Sequence, residues 1–571
     1  MRQFNSFYYS AQPAVVQNNL EFKGIDTFPP KSYRARYSAY TVSAQKTARR
    51  AIARNIHNRE ELDMILDGYR RCTADEFQSE SFFMSYDVEP HLTIKDDKYW
   101  QAMRIATEWF RPPRLLRPVH YTDLRWYPWN LTSSCERPFK NSKYWRRTVK
   151  ESFDLGLLES PKMNFHNLYN AIFEKGRQYI HNIKEGNQVR LFNIELHQKP
   201  ALVKYDDPDK VRTVFGVPKY WIFAEAMFYW PLYNQYQRYR CSPLLWGYET
   251  LNGGWARLND EFYSLDQSYS PIINLDWSGF DTHLYFDVIS DIRENILSYF
   301  DLENGYIPTK EYVKTTTNPN RLLNLWNWHQ TALEKTLCVS PTGRVFARKY
   351  AGMPSGIFTT QYIDSFYNLL MILTTMLALK LPILPKHFIK VMGDDALIGF
   401  IGVRKSEDYS SFIEAFSSET KRRFGAVLNA EKCHVSQNIQ NAKVLGYSNF
   451  NGYPQRDRTQ LLAQLLHSKH AADNFERLKA RSVGIYYASA GDPVVRRVCK
   501  DIFDFLDYNG IRANRNEFRN LFDPETAMNL RFDPDYFPTP TEAICRLMRP
   551  SRRSEEVDRL YWNRDHFIDE A

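Results

Sequence analysis

The feature that most restricts the fold is a pair of acidic residues between two apolar runs, in a segment at 388–399 that reads FIKVMGDDALIG. Phe388–Met392 and Ala396–Ile401 both resemble β-strands, and Gly393-Asp394 between them suits a tight hairpin turn. Glycine and aspartate are also the preferred residues of an ordinary exposed turn. However, adjacent carboxylates repel each other, and burying them is costly unless a cation neutralises them. The segment predicts a hairpin that emerges from a buried sheet and carries two carboxylates.

A second acidic site lies upstream, at 271–283, where the sequence reads PIINLDWSGFDTH. A short apolar strand, Ile272–Leu275, ends at Asp276, and Asp281 follows five positions later. Apolar residues then recur at helical spacing, at Leu284, Val288, Ile289, Ile292 and Ile296. Asp281 is therefore expected near the start of a helix, where its negative charge is favoured and where capping is the ordinary role.

Neighbouring strands would bring Asp276 beside Asp394 and form a cluster of carboxylate oxygens. Such oxygens suit Mg²⁺, which binds a few carboxylates and completes its shell with water and substrate phosphates. Two such ions about 3.5–4 Å apart promote phosphoryl transfer. The two acidic segments therefore predict a metal site for phosphoryl chemistry.

A third segment, AGMPSGIFTTQYIDSFYNLLMILTTMLAL at 351–379, places a Gly- and Pro-containing loop before a long apolar helix. Thr360, Asp364 and Asn368 are four residues apart and form one polar stripe on that helix. The stripe is consistent with an internal hydrogen-bond network or with a surface that meets a nucleotide sugar. Phe366–Leu379 is too short to cross a membrane, which needs about 20 apolar residues.

The charge balance is mildly basic, with 75 Lys and Arg against 66 Asp and Glu and a net charge of +9. Three cationic segments are interleaved with aromatic or apolar residues: 111–118, 143–150 and 545–553. Each is read first as a solvated surface and second as a nucleic-acid groove, since the overall excess permits a polyanionic partner without requiring one. The seven scattered cysteines lack a C-x-x-C pair, and we find no secretory segment, so a reducing compartment is expected.

Three ordered motifs resemble motifs A, B and C of viral RNA-dependent RNA polymerases: D-x4-D at 276–281, SG-x3-T-x3-D at 355–364 and GDD at 393–395. LDWSGFD, GMPSG and VMGDDALIG are most similar to the partitivirus group of double-stranded RNA viruses, with picobirnaviruses as more distant relatives. DKVRTVF resembles motif F, FGAVLNAEKCHVS resembles motif D, and VLGY at 444–447 resembles motif E. SSCERPF at 133–139 is a candidate for motif G, where the template enters.

The resemblance implies an α/β right-hand polymerase with an α+β palm and fingers closed onto the thumb. The implied division is an N-terminal extension bridging fingertips and thumb at 1–115, fingers with motif F at 116–270, palm with motif A at 271–300, a fingers insertion at 301–350, palm with motifs B to E at 351–455, and thumb with the C-terminal segment at 456–571.

The resemblance also implies roles for individual residues. The implied ligands of two Mg²⁺ ions, for which Mn²⁺ could substitute, are Asp276, Asp394 and Asp395. The implied general acid toward the leaving pyrophosphate is Lys432. The implied nucleotide-binding residues are Lys204, Lys210, Arg212, Asp281, Ser355, Gly356, Thr360, Asp364 and Asn368. Many related positive-strand enzymes carry asparagine at the position of Asp364, so this chain departs from the family there.

The implied activity is template-directed synthesis of RNA from ribonucleoside triphosphates, for replication and transcription of a viral double-stranded RNA genome. The implied partners are RNA template and product, nucleotides and a viral capsid protein, with no membrane, in the virion interior and host cytoplasm. Two alternatives remain at this point. A reverse transcriptase would share the palm, although such enzymes usually carry a bulky aromatic residue at the position of Asp281. A non-catalytic RNA-binding virion protein would fit the basic segments equally well.

Overall fold

The structure is a computed structural model that describes residues 18–30, 39–73, 75–241, 243–404, 409–468, 473–515, 533–550 and 555–568. Its helices are α1 Ala39–Asn55, α2 Arg59–Asp67, α3 Glu76–Phe83, α4 Asp97–Trp109, α5 Lys143–Asp154, α6 Tyr169–Lys184, α7 Lys219–Tyr239, α8 Gly254–Tyr263, α9 Phe286–Leu297, α10 Pro319–Lys335, α11 Thr360–Ala378, α12 Ser410–Phe424, α13 Arg458–Leu466, α14 Phe475–Ala488, α15 Pro493–Tyr508, α16 Pro540–Met548 and α17 Glu555–Tyr561. Its strands are β1 Leu20–Ile25, β2 Tyr69–Arg71, β3 Ile194–Pro200, β4 Leu202–Lys204, β5 Val211–Gly216, β6 Ile272–Leu275, β7 Trp277–Ser278, β8 Cys338–Val339, β9 Arg344–Arg348, β10 Ile389–Met392, β11 Asp395–Gly399, β12 Val427–Leu428, β13 His434–Ser436, β14 Lys443–Val444, β15 Tyr447–Phe450 and β16 Tyr453–Gln455.

A four-stranded antiparallel sheet lies at the centre, in the order β10-β11-β6-β13. Most residues of its three longest strands are buried. The apolar helix α11 packs against β10 and is itself covered by α4, α9 and α12. Because α11 is surrounded in this way, it can be apolar on nearly every face without spanning a membrane. None of the helices in the described ranges has the length and apolarity that a bilayer-spanning segment needs.

A second sheet of five strands has the order β1-β9-β8-β3-β5. β3 and β5 form a long antiparallel hairpin that includes Lys199 opposite Arg212. β1, from the N-terminal part of the chain, forms the opposite edge by pairing with β9.

The N-terminal helices pack against helices from the far end of the chain. Ala44, Ala48 and Ile52 lie on one face of α1 and are buried in a cluster with residues of α13, α14 and α15. Two ion pairs reinforce the contact, Arg54 with Asp501 at 2.8 Å and Arg458 with Glu61 at 2.5 Å. Because Ala44, Ala48 and Ile52 recur every four residues, they form one apolar face along which α1 packs.

The C-terminal segment, residues 555–568, packs against α7. The ring of Trp562 stacks on Phe567 at 4.1 Å between centroids, and Trp230 Nε1 donates to the carbonyl of Tyr561 at 2.8 Å. His566 Nε2 lies 2.9 Å from Asp123 Oδ1 in a buried contact. Residues 555–568 therefore join the core that is built around α7.

Candidate active site

The acidic pair lies on the predicted hairpin. Met392 pairs with Asp395 in the β10–β11 ladder, which leaves Gly393 and Asp394 as a two-residue loop. Gly393 has φ of +63°, a conformation that glycine adopts at little cost. Asp394 is exposed and Asp395 is partly buried. The hairpin prediction is confirmed.

The sheet register brings Asp276 to the same edge. Leu275 at the end of β6 pairs with Ala396 of β11. Because the two strands are antiparallel, the residue after Leu275 lies opposite the residue before Ala396. Asp276 and Asp395 therefore face each other across the strand pair. The strand predicted at Ile272–Leu275 has those bounds in the structure.

Two side chains of helix α11 form hydrogen bonds with the backbone of the hairpin loop. Asn368 Nδ2 donates to the carbonyls of Gly393 at 2.9 Å and Asp394 at 3.0 Å. The backbone N–H of Gly393 donates to Ser365 Oγ at 2.8 Å. Asn368 Oδ1 accepts from Trp277 Nε1 at 3.0 Å. Sequence reasoning missed both residues. Ser365 lies outside the polar stripe, and Trp277 lies in the second acidic segment but has no charge that the metal-site prediction used.

Asp281 and Asp364 form a second, partly desolvated acidic pair. Asp281 belongs to a short 3₁₀ helix, Phe280–His283, rather than to the first turn of α9. Burial and the charge of Asp394 raise the pKa of Asp281 to about 6, while Arg212 opposes the shift. Asp364 is 4% exposed, and its Oδ1 has no hydrogen-bond partner. Burial and the charges of Asp281 and Asp394 raise the pKa of Asp364 well above its usual value.

The segment resembling motif F contacts the loop that precedes α11. A Cβ atom placed on Gly356 would lie 2.0 Å from the carbonyl oxygen of Phe215, so only glycine fits this contact. Arg212 is exposed on β5, three residues before the buried Phe215, and Lys210 is exposed just before β5 begins. Lys204 lies apart from this hairpin, at the end of β4, where it pairs with Tyr69.

The remaining predicted residues lie around the same loop and strand. Ser355 is exposed in the loop, and Thr360 Oγ1 donates to the carbonyl of Pro354 at 3.0 Å. The backbone N–H of Asn429 donates to the carbonyl of Asp276 at 2.8 Å. That bond places the short 3₁₀ helix Ala430–Lys432, with an exposed Lys432, next to the strand that carries Asp276.

The proposed motifs E and G also have defined positions. Residues 444–447 form the tight connection between β14 and β15. The loop at 133–139 is tied to β3, since Arg137 Nε lies 3.0 Å from Glu195 Oε1 and Lys140 Nζ lies 2.6 Å from Glu195 Oε2. No motif in the sequence pointed to Glu195.

The carboxylates at the hairpin suit a divalent cation in chemistry and charge. Burial and the charges of Asp394 and Asp276 raise the pKa of Asp395 to about 6, which shows that the charges destabilise one another. Hard oxygen ligands with uncompensated negative charge are what Mg²⁺ prefers. In the described ranges, another trio of side chains has its ligand atoms closer to one another than the carboxylate oxygens of Asp276, Asp394 and Asp395 are.

That other trio is Glu136, Glu195 and His197, whose ligand atoms lie within 4.8 Å of one another. Arg137 and Lys140 already neutralise Glu195, so this trio does not need a cation. The trio fits an internal ion-pair network better than a metal centre.

Comparison with known sequences identifies the family. The sequence model described as viral RNA-dependent RNA polymerase matches residues 170–494, which is more than half of the 571 residues. The chain belongs to this family and is an RNA-dependent RNA polymerase.

Two curated relatives match nearly the whole chain. The RNA-directed RNA polymerase of White clover cryptic virus 1 (isolate Boccardo/2004) is 31% identical, and the match covers 97% of each chain. The RNA-directed RNA polymerase of Atkinsonella hypoxylon virus (isolate 2H) is 24% identical, with 95% of this chain and 89% of the relative covered. The family membership predicted from the motifs is confirmed.

Proposed function

We propose that this chain replicates and transcribes a viral double-stranded RNA genome by joining ribonucleoside triphosphates at the β10–β11 hairpin. The observation that carries the proposal is the sheet register, which sets Asp276 opposite Asp395 with Asp394 in the adjoining loop. The two curated relatives, one of them from a cryptic virus, support placement in the partitivirus group.

Asp276, Asp394 and Asp395 are the residues that would hold two Mg²⁺ ions, with Mn²⁺ as a possible substitute. When bound, such ions lower the pKa of the attacking hydroxyl and offset charge on the phosphates. The acidic residues offer oxygen ligands and a local excess of negative charge, so they fit this role.

The reaction joins the 3′-oxygen of the growing strand to the α-phosphorus of a nucleotide. The hydroxyl proton leaves, the bond to the bridging oxygen breaks, and pyrophosphate departs. Lys210 and Arg212 would bind the triphosphate, since guanidinium and ammonium groups both suit phosphate oxygens. Lys432 would donate a proton to pyrophosphate. Lys204, on a separate strand pair, is the most peripheral of the proposed phosphate contacts.

The sugar would lie between motif A and the loop before α11. Asp281, Ser355 and Asp364 would face the ribose, and Gly356 would let the loop approach β5. Thr360 would fix the loop through its bond to Pro354. The amide of Asn368 is engaged with Trp277, Gly393 and Asp394, so we assign it to positioning the acidic loop.

We further propose a right-hand arrangement with the domain division implied by the motifs. The packing of α1 on α13–α15 supports an N-terminal bridge that reaches a C-terminal thumb. RNA would be bound through its backbone in a basic channel. A capsid protein would be a partner, and the enzyme would act in the virion interior and host cytoplasm.

A template-directed assay tests the chemistry. The purified chain, an RNA template, Mg²⁺ and labelled nucleotides should give RNA product, and Asp276→Asn or Asp394→Asn should reduce the rate by about 10³-fold or more. Asp63→Asn, a surface carboxylate whose side chain is 69% exposed, is the matched control and should be as active as wild type.

Two further arms address the alternatives. Incorporation of deoxyribonucleotides in place of ribonucleotides would favour a reverse transcriptase. RNA binding with no synthesis in the wild-type chain would favour a non-catalytic virion protein. The family match favours neither of these outcomes.

A further inference from the structure

A cavity of about 500 Å³ lies away from the acidic hairpin, between α6 and α10. None of the proposed metal or nucleotide ligands lines it. Its walls are instead rich in cationic and titratable side chains, among them His120, Arg177, His181, Lys184 and Arg321. Cavities of this volume are typical of small-molecule sites.

Lys184 is a buried residue of the cavity lining, and no acidic side chain in the described ranges pairs with it. The residue is 6% exposed. Its Nζ donates to the hydroxyl of Tyr306 at 3.0 Å and lies 5.3 Å from the centroid of the same ring. Within the described ranges, no carboxylate oxygen lies within 4.0 Å of this ammonium group. A buried ammonium without a counter-ion is costly.

The acidic residue that follows Lys184 in the sequence, Glu185, pairs with other cations. Glu185 Oε1 lies 2.7 Å from Arg321 Nη2 and 3.7 Å from His181 Nε2. Arg321 Nη2 is also 3.1 Å from His181 Nδ1. Glu185 does not line the cavity, and Glu174 is the one carboxylate among the lining residues that the structure describes. The cavity therefore carries more positive than negative charge.

The titration of the lining groups agrees with this excess. Burial and the charge of Arg321 lower the pKa of Lys184 to about 8, although Glu185 opposes the shift. Burial and the charges of Lys184, Arg177 and Arg321 lower the pKa of His120 to about 4. An anion in the cavity would relieve the repulsion among these groups.

We propose that this cavity is a second anion site, which binds a terminal phosphate group of a nucleotide or of the 5′ end of an RNA. The buried Lys184 provides a charged ammonium group. Arg177, which is exposed at the rim of the cavity, and the half-buried Arg321 provide planar donors, which suit phosphate oxygens. Tyr306 orients the ammonium group. The site differs from the polymerising centre in its residues and in its helices.

Proton uptake gives the site a specific signal. A bound anion stabilises the charged form of Lys184 and so raises its pKa. At pH 8, close to the lowered pKa of Lys184, part of this lysine is neutral in the free protein, so an anion that binds it promotes proton uptake by the lysine. Affinity should fall as pH rises above 8, because the neutral lysine must first be protonated.

Calorimetric titration of the full chain tests the proposal at pH 8, without divalent metal, in two buffers of different ionisation enthalpy. The probes are pyrophosphate, GTP, and one short RNA carrying either a 5′-triphosphate or a 5′-hydroxyl. We expect pyrophosphate to bind with more proton uptake by the wild-type chain than by Lys184→Arg, because protons that the pyrophosphate itself carries count equally in both. Comparable binding of GTP would identify a nucleotide as the source of the phosphate, and preferential binding of the triphosphorylated RNA would identify an RNA end.

Matched variants separate this site from the rest of the protein. Lys184→Met should weaken pyrophosphate binding by 10-fold or more, about the value of a charged hydrogen bond, and should lose the proton uptake that Lys184 contributes. Lys184→Arg should bind with less proton uptake than the wild-type chain, since arginine stays charged. Lys175→Met, on the exposed surface of the same helix, is the control and should behave as wild type.

Three results would overturn the proposal: proton uptake in the wild-type chain no greater than in Lys184→Arg, equal affinity in Lys184→Met, or equal Lys184-dependent binding of the 5′-hydroxyl RNA. If Lys184→Met does not fold, Arg177→Gln at the exposed rim replaces it. That variant should weaken pyrophosphate binding about fivefold, and unchanged affinity would again count against the site.

Discussion

Trp277 Nε1 donates a hydrogen bond to Asn368 Oδ1 at 3.0 Å, although the two residues are 91 positions apart. Asn368 in turn donates to the carbonyls of Gly393 and Asp394. One buried amide therefore connects motif A, the helix of motif B and the loop of motif C. The relative positions of the catalytic segments depend on this amide as well as on the sheet.

Replacing Asn368 should disturb catalysis more than RNA binding. Asn368→Ala leaves the Trp277 indole and two carbonyls without their partner, at a cost of about 1–3 kcal/mol in unfolding free energy. We expect the turnover rate to fall about 100-fold because the acidic loop is displaced. Steady-state synthesis and thermal unfolding measure the two effects. Asn295→Ala, whose amide bonds only its own helix, is the control; equal losses in both variants would argue against the positioning role.

Gly356→Ala should separate the motif F strand from the motif B loop. The new Cβ would lie 2.0 Å from the Phe215 carbonyl oxygen, so one of the two segments must move. We expect the Michaelis constant for nucleotides to rise about 10-fold or more. Gly510→Ala is the control, because a Cβ atom there meets no atom within 4 Å. Gly510, unlike Gly356, has a positive φ, so this variant should lose about 1 kcal/mol of stability and keep normal kinetics. Normal nucleotide affinity in Gly356→Ala would contradict the close contact.

Asp364→Asn should stabilise the protein in a pH-dependent way. Because burial raises the pKa of Asp364 in the folded state, the folded chain binds a proton there more tightly than the unfolded chain does. Stability from this group is therefore present at low pH and is lost as pH rises. In metal-chelating buffer at pH 8, the asparagine variant should melt about 2 °C higher than wild type, with little difference at pH 4. If Asp364→Asn instead melted at a lower temperature than wild type at pH 8, the folded protein would favour the carboxylate form of Asp364.

Mg²⁺ should raise the melting temperature of the wild-type chain. Binding to the folded state alone adds RT ln(1 + [Mg²⁺]/Kd) to stability, about 1.4 kcal/mol at ten times Kd. Asp276→Asn and Asp394→Asn should lose most of this gain because each lacks a proposed ligand. Thermal scans with increasing MgCl₂ measure it, and Asp63→Asn is again the control. A shift that both ligand variants retain would place the cation elsewhere.

The local parts of the site could be predicted from the sequence. The strand Ile272–Leu275, the Gly393-Asp394 turn and the long helix before Ala378 each have a short-range pattern, because strand alternation, turn residues and helical spacing act within a few positions. The sequence motifs then fixed the family. These elements needed no knowledge of distant contacts.

The parts that depend on distant contacts could not be predicted. The bond between Trp277 and Asn368 joins side chains with no shared pattern. The packing of α1 on α13–α15 depends on small residues that are equally common on solvated helices. Asp281 was expected near a helix start, and the structure instead gives it a separate 3₁₀ turn. Tertiary packing decides these features.

The docking of α1 against α13–α15 has a consequence for synthesis of the protein. Asn55 ends α1 more than 400 residues before Arg458 begins α13. While the ribosome makes the intervening chain, the apolar face of α1 lacks its partners in α13–α15. The packing of α1 is thus completed late, and its apolar face exposes an unfinished chain to aggregation until then.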